Sequence, residues 1–219
     1  MLKILFILGR PGCGKSTTAS LIRMMARDQR WLFHSLNDYV LLQDMCLHEE
    51  AENIPLNERD FIQRELDGCI GFDVKNFGVL RTVLRKLKEE VEVIRVTSPQ
   101  DRTTLCTIEF ARALYQDALD IFGNELLAEA HLLYINVDVD TCIQRNHNRT
   151  DHFISDEIMR TYYHYDDWAR EVYNLDHGRD KFAIKNMETF EDLRQEVESW
   201  FASHLLSEAL FPKVPDNMM

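Results

Sequence analysis

The chain has 219 residues, 45% of them hydrophobic, with 25 Lys and Arg against 37 Asp and Glu, a formal charge of −12. An apolar share of that size supports a real core and excludes a wholly disordered chain. The acidic balance argues against a protein that holds nucleic acid through its phosphates, because such binding rests on Lys and Arg neutralising backbone charge; any anionic ligand must be met by cations gathered in one cleft.

The first predicted element is the run Leu2 to Leu8, in which Lys3 is the only charge. Seven residues are too few for a membrane span or a secretory leader, so the run reads as a core strand. It enters Gly9-Arg10-Pro11-Gly12-Cys13-Gly14-Lys15-Ser16, which has the spacing G-x-x-x-x-G-K-S, and a helix-compatible segment follows from Ser16 to Asp28. Glycines at 9, 12 and 14 let the backbone turn tightly and bring several N–H donors onto one polyphosphate. The helix start adds its unpaired N–H groups and the positive end of its dipole. Gly9, Gly12, Cys13, Gly14, Lys15, Ser16 and Thr17 are therefore the candidate nucleotide-binding residues, with Lys15 reaching the β- and γ-phosphates of ATP and the Ser16 hydroxyl binding Mg²⁺. Among those N–H groups the Cys13 thiol is expected to be acidified, so that its oxidation would block phosphate binding.

After a stripe of Ala19, Leu21, Ile22, Met25 and Ala26, the segment Trp31 to Leu36 reads as a second strand, followed by Asn37-Asp38-Tyr39. Asp38 at a strand's carboxyl end is either an acceptor-side base or hydroxyl orienter in the ligand crevice, or the N-cap of the next helix. Residues 40 to 90 are expected to be mostly helical, with Phe61, Leu66, Phe77, Leu80, Val83, Leu84 and Leu87 at helical spacing around the break Gly68 to Asp73. Val91 to Thr97 and Thr103 to Phe110 are β-rich runs that suggest a hairpin or edge strand feeding the third core strand. The second run ends in Glu109-Phe110-Ala111-Arg112. There Glu109 would hold a Mg²⁺-bound water and Arg112 would clamp a phosphoryl group, or the two would pair with each other.

An amphipathic helix is expected over Ala113 to Ala130 and a fourth strand over His131 to Val137. Arg145 and Arg149 are four apart, so on a helix they share a face and can address one polyanion, or they pair with Asp138, Asp140 and Asp151. Ser155 reads as the cap of a helix over Asp156 to Asn174, with Tyr162, Tyr165, Trp168 and Val172 as a core stripe. Phe182 to Asn186 is a fifth strand, and Thr189 caps a last amphipathic helix. His147 and His152 belong to no metal-ligand set. The five cysteines, Cys13, Cys46, Cys69, Cys106 and Cys142, include no C-x-x-C pair and read as reduced thiols of a cytoplasmic protein.

Five strands alternating with helices, the glycine loop after the first and an arginine-bearing segment after the fourth together resemble the nucleoside monophosphate kinase family, adenylate kinase-like in the broad sense. Gly9 to Ser16 looks like that family's G-x-P-G-x-G-K loop, Pro11 included, and Arg145-x-x-x-Arg149-x-Asp151 followed by Arg160-Thr-Tyr162 is similar to its lid flank. The resemblance implies that Arg145 and Arg149 contact ATP phosphates and that Arg160 faces the transferred group. It also implies that Arg112 binds the acceptor's phosphate, although Glu-Phe-Ala-Arg stands where the family has Asp-Gly-x-Pro-Arg. The expected architecture is a three-layer α/β/α domain over 1–212. It has a parallel five-stranded sheet of order 2-3-1-4-5, a helical acceptor insertion near 40–100, a short lid near 145–160 and a flexible tail over 213–219. The expected activity is in-line transfer of the ATP γ-phosphoryl group, with Mg²⁺, to a nucleoside monophosphate or similar small acceptor. A nucleotide-dependent switch and a nucleoside or sugar-type kinase are the alternatives.

Overall fold

The computed structural model describes residues 1–66, 68–149, 153–166, 168, 180–185 and 189–207. Its centre is β1 (Leu2–Leu8), where alternation along the strand sends Leu5 and Ile7 to one face and Ile4, Phe6 and Leu8 to the other. Because both faces are covered, the strand reads as a continuous apolar run, as parallel sheets require. It is flanked by β5 (Thr104–Phe110) and β6 (Ala130–Asn136), with β2 (Leu32–Asn37) and β7 (Asp180–Lys185) outside them, in the order β2-β5-β1-β6-β7, every pairing parallel. Counting core strands alone, this is the expected order 2-3-1-4-5. One face packs on α1 (Lys15–Asp28) and α8 (Phe190–Trp200), whose final turn Phe201–Leu206 widens to π geometry; Ile22, Leu193, Val197 and Trp200 fill that layer. The other face packs on α3 (Gly78–Thr97), α4 (Tyr115–Asp120) and α5 (Asn124–Glu129) through Leu84, Leu87, Val91, Tyr115, Leu119 and Leu126.

Three local expectations are corrected. The insertion after α2 (Asp38–Ala51) is not all helix, since β3 (Phe61–Leu66) and β4 (Cys69–Val74) form an antiparallel hairpin whose register brings Leu66 opposite Cys69. Gly68, at φ +81°, supplies the left-handed residue that such a two-residue turn demands, and Asp-Gly in the sequence was the signal for it. Val91 to Thr97 is the last part of α3: Val91 and Ile94 extend the buried stripe of Val83, Leu84 and Leu87, and that burial outweighs the β-branched propensity of the exposed Val93 and Val96. The helix expected over 113 to 130 is two short ones separated at Gly123, whose φ of +84° stops the first.

Beyond β6, α6 (Val139–His147) and α7 (Asp156–Thr161) are capped by the side chains of Asp138 and Ser155. The expected helix from Asp156 ends at Thr161, and Val172, Asn174, Asn186 and the tail 213–219 lie outside the described residues. Thr189 caps α8 by accepting from Asp192 N, as expected.

Candidate active site

The loop after β1 owes its shape to glycine. Gly12 sits at φ +83°, and a Cβ there would lie 2.4 Å from the backbone oxygen of Cys142, so the loop packs backbone to backbone on α6. Gly14, at φ +102°, is the left-handed N-cap of α1 and offers no side chain to satisfy the helix's first N–H groups. Those donors are left for an anion. Lys15 curls back over the loop, its Nζ donating to the oxygens of Gly9 (2.9 Å) and Arg10 (3.0 Å).

Parallel pairing of β1 and β2 with β5 delivers the next group. Glu109 is paired in register with Ile7 on one side and Asn37 on the other, which sets it at the carboxyl edge beside the loop. It is 3% exposed; Oε1 accepts from Ser35 Oγ at 3.5 Å, and Oε2 is buried without a hydrogen-bond partner. Burial pushes its pKa up; the charge of Lys15 and the hydroxyl of Ser16 pull the other way, and the Asp38 carboxylate adds to the rise. An orphaned carboxylate oxygen facing a serine hydroxyl and a lysine is a donor set suited to a hard cation, so Ser16 and Glu109 fit Mg²⁺.

Asp38 is the first residue of α2, and the N-cap expected of it is supplied by Asn37, whose side chain accepts from Tyr39 N at 2.9 Å. Asp38 is 7% exposed, lines the cleft, and through Oδ2 accepts from Arg112 Nη1 at 2.5 Å. Arg112 is 4% exposed and donates also to the oxygens of Ala111 and Leu80. It pairs neither with Glu109 nor with the cleft; its guanidinium holds Asp38 in place.

The lid-flank arginines separate. Arg149, just past α6, lines the cleft with Lys15, while Arg145 lies in the last turn of α6. Arg160 is not brought to the cleft; it sits in the last turn of α7 with its side chain 55% exposed and bonds Asp140 at 2.8 Å. Asp151 and His152 lie outside the described residues, and His147 Nε2 lies 2.6 Å from Asp156 Oδ1.

The expected acidified thiol is overturned. Cys13 is completely buried, and the cost of burying a thiolate raises its pKa despite the opposing charges of Lys15, Arg149 and Arg10. Sequence reasoning passed over Arg10, Tyr115 and Tyr134. Arg10 spans from the loop to the strand end and the segment after α7: it donates to the oxygens of Val137, Tyr163 and His164 and pairs with Asp166 at 2.8 Å. The Tyr134 hydroxyl also donates to Asp166, and the Tyr115 hydroxyl accepts from Gly9 N at 3.0 Å. A cation inside the glycine loop and a tyrosine three residues after Arg112 were the available signals.

Opposite the loop lies a cleft of about 100 Å³, with walls from α2, β4, Phe77, Ile154, α7 and Tyr163. Among solved structures, a gluconokinase from Sinorhizobium meliloti 1021 is similar over 95% of this chain and 95% of its own, at 17% identity and a TM-score of 0.54. A sugar kinase from Janibacter sp. HTCC2649 is similar over 92% of this chain and 95% of its own, at 14% identity and a TM-score of 0.56. The chain shares its fold with these two kinases. No protein-family model matches the sequence, and no curated protein does. At these identities the P-loop kinase likeness is one of fold, so the chemistry rests on the residues themselves. No helix among the described residues is long and apolar enough to cross a membrane.

Proposed function

We propose that this chain is an ATP-dependent phosphotransferase that moves the γ-phosphoryl group to a small acceptor lying between the phosphate loop and the β3–β4 hairpin. The observation that carries the reading is the buried, unpartnered Glu109 Oε2 beside Lys15 and Ser16 at the head of α1. Burying a carboxylate with an unmet oxygen costs about 1–3 kcal/mol, a cost that a fold keeps for a ligand.

The roles follow from position. Loop N–H groups and Lys15 hold the β- and γ-phosphates; Arg149 meets the same charge from the opposite wall. Ser16 and Glu109 would hold Mg²⁺, which when bound supplies positive charge at the phosphoryl oxygens. Asp38 orients the acceptor and takes its proton, and Arg112 is a positioning residue that fixes Asp38. Residues 40–100 form the acceptor side and 145–160 the lid. Gly71 packs against Phe153 so closely that a Cβ would meet the Phe153 oxygen, and Ser155 N donates to Asp73 Oδ1 at 2.9 Å, so hairpin and lid close together and keep water from the phosphoryl group. A nucleoside monophosphate acceptor, the expectation from resemblance, needs a cation for its phosphate, and Arg112 is engaged elsewhere.

The test is transfer of label from γ-labelled ATP with Mg²⁺, paired with calorimetry of nucleotide binding. Lys15→Ala should lower transfer at least about a hundredfold with the fold intact. A Lys15→Ala protein as active as the parent, or no heat on adding Mg²⁺ and ATP to the parent, refutes the assignment.

A further inference from the structure

Given the phosphotransfer reading above, on which this inference rests, we infer that the acceptor is an uncharged alcohol carrying a flat aromatic ring, the chemistry of a nucleoside. The walls facing Lys15 include Tyr39 and Leu42 of α2, Phe72 of β4, Phe77, Ile158 of α7 and Tyr163. Their rings are preset. Tyr39 lies parallel to Phe72 at 5.4 Å between centroids and 15°, Phe61 braces Phe72 edge-on at 5.4 Å, and Phe77 stacks on Tyr162 at 4.4 Å and 12°. Such a surface rewards a planar aromatic ring through stacking and area burial.

It does not suit a polyhydroxylated sugar acid. Gluconate brings five hydroxyls and no ring, a ribonucleoside three and a ring, and each hydroxyl entering the cleft without a partner costs about 1–3 kcal/mol. Among the described residues, the polar side chains lining the cleft beyond the loop and Arg149 are Asn37, Asp38 and the tyrosines, and the Asn37 side-chain oxygen already caps α2. An anionic acceptor is disfavoured for a second reason. The acceptor-side guanidinium, Arg112, gives both its Nη groups to Asp38 and two backbone oxygens and leaves only a buried Nε unpartnered, Arg64 is bonded to Asp73 at 2.8 Å, and Arg160 lies outside the cleft, bonded to Asp140. Lys15 and Arg149 lie at the donor end, where the triphosphate claims them. Among the described residues, what the acceptor end offers is one anchored carboxylate, Asp38, which matches one hydroxyl. In the step, that hydroxyl oxygen bonds the γ-phosphorus and its proton passes to Asp38; the bond from the γ-phosphorus to the β,γ-bridging oxygen breaks, and its electron pair leaves on ADP.

The experiment supplies the purified chain with Mg²⁺ and γ-labelled ATP and compares three acceptor sets: purine and pyrimidine nucleosides, their 5′-monophosphates, and gluconate. The expected result is a kcat/KM for at least one nucleoside about tenfold or more above those for its own monophosphate and for gluconate. Phe72→Leu, which keeps an apolar side chain in the hairpin, should raise the nucleoside KM about tenfold and leave the Kd for ATP with Mg²⁺ within about twofold. A monophosphate or gluconate preferred by that margin overturns the inference while the kinase reading stands. So does ATP that binds without transfer to any nucleoside, or a Phe72→Leu enzyme with an unchanged nucleoside KM. Absence of ATP binding removes the phosphotransfer reading and this inference with it.

Discussion

Replacing Arg112 by Met tests whether its guanidinium serves Asp38 or an acceptor phosphate. In the folded chain Arg112 and Asp38 have side chains 5% and 10% exposed and are joined at 2.5 Å, and Arg112 also satisfies the oxygens of Ala111 and Leu80. Arg112→Met keeps the apolar stem and removes the charge, leaving a buried carboxylate unpaired, which costs about 3–5 kcal/mol. For a chain of this length about 2–4 °C of Tm accompanies each kcal/mol, so Tm should fall on the order of 6–20 °C. Asp38→Asn should cost less, about 1–3 kcal/mol, because Arg112 retains two backbone acceptors. The double variant should be more stable than the sum of the two losses implies, by about 1 kcal/mol or more. Urea denaturation of all four proteins, with m-values checked for two-state behaviour, measures the cycle. In transfer assays Arg112→Met should lower kcat more than it raises the acceptor KM, since Arg112 acts through Asp38. An Arg112→Met protein within about 0.5 kcal/mol of the parent, with a raised KM for a nucleoside monophosphate, would refute this reasoning and restore Arg112 as a phosphate clamp.

Glu109→Gln should uncouple stability from activity. Transfer should drop at least about a hundredfold, because the carboxylate meant for Mg²⁺ is gone. Tm in the absence of nucleotide should hold or rise by about 2–4 °C, because a buried charge with an unmet oxygen is gone too; a marked fall in Tm would show that Glu109 is structural. Gly12→Ala should weaken ATP binding at least about tenfold by calorimetry, since φ +83° and the Cys142 oxygen 2.4 Å from a Cβ force the loop off α6; unchanged affinity would mean that loop packing does not set the phosphate site. All five thiols are buried, and burial raises Cys46 to about 11 and Cys106 and Cys142 to about 12. Thiol reagent at pH 8 should therefore label the native protein far more slowly than the urea-unfolded chain, with labelling speeding up as pH rises toward those values. Rapid native labelling of Cys13 would contradict its burial.

What could be read from sequence was what is local. The strand, glycine loop and helix from Leu2 to Asp28 follow from a run of apolar residues, three glycines and a Lys-Ser pair within sixteen positions, and the structure departs from the expected bounds by one residue at the start of α1. The β3–β4 hairpin was missed because Phe61 and Leu66 suit a helical period as well as a strand period, and Gly68, whose left-handed backbone decides between them, was read as part of a break from Gly68 to Asp73. Val91 to Thr97 failed in the opposite direction: a β-branched composition gave way to the stripe that α3 buries against β5 and β1.

The site divides on the same principle. The position of Glu109 at the carboxyl edge of the sheet was legible because a carboxylate ending a buried run is conspicuous in one dimension. Its partners were not, because Asp38 and Arg112 are 74 positions apart and nothing in the spacing of either predicts the other. Their meeting is set by β2 lying next to β5, which brings Asn37 opposite Glu109 and so sets the first turn of α2 against the residues that leave β5. That adjacency pairs one carboxylate with one guanidinium, while Lys15 and Arg149 line the cleft itself. The resemblance to nucleoside monophosphate kinases carried over the loop, whose function is written in consecutive residues. It is silent on the pairing of Arg112 with Asp38, which depends on a contact between strands.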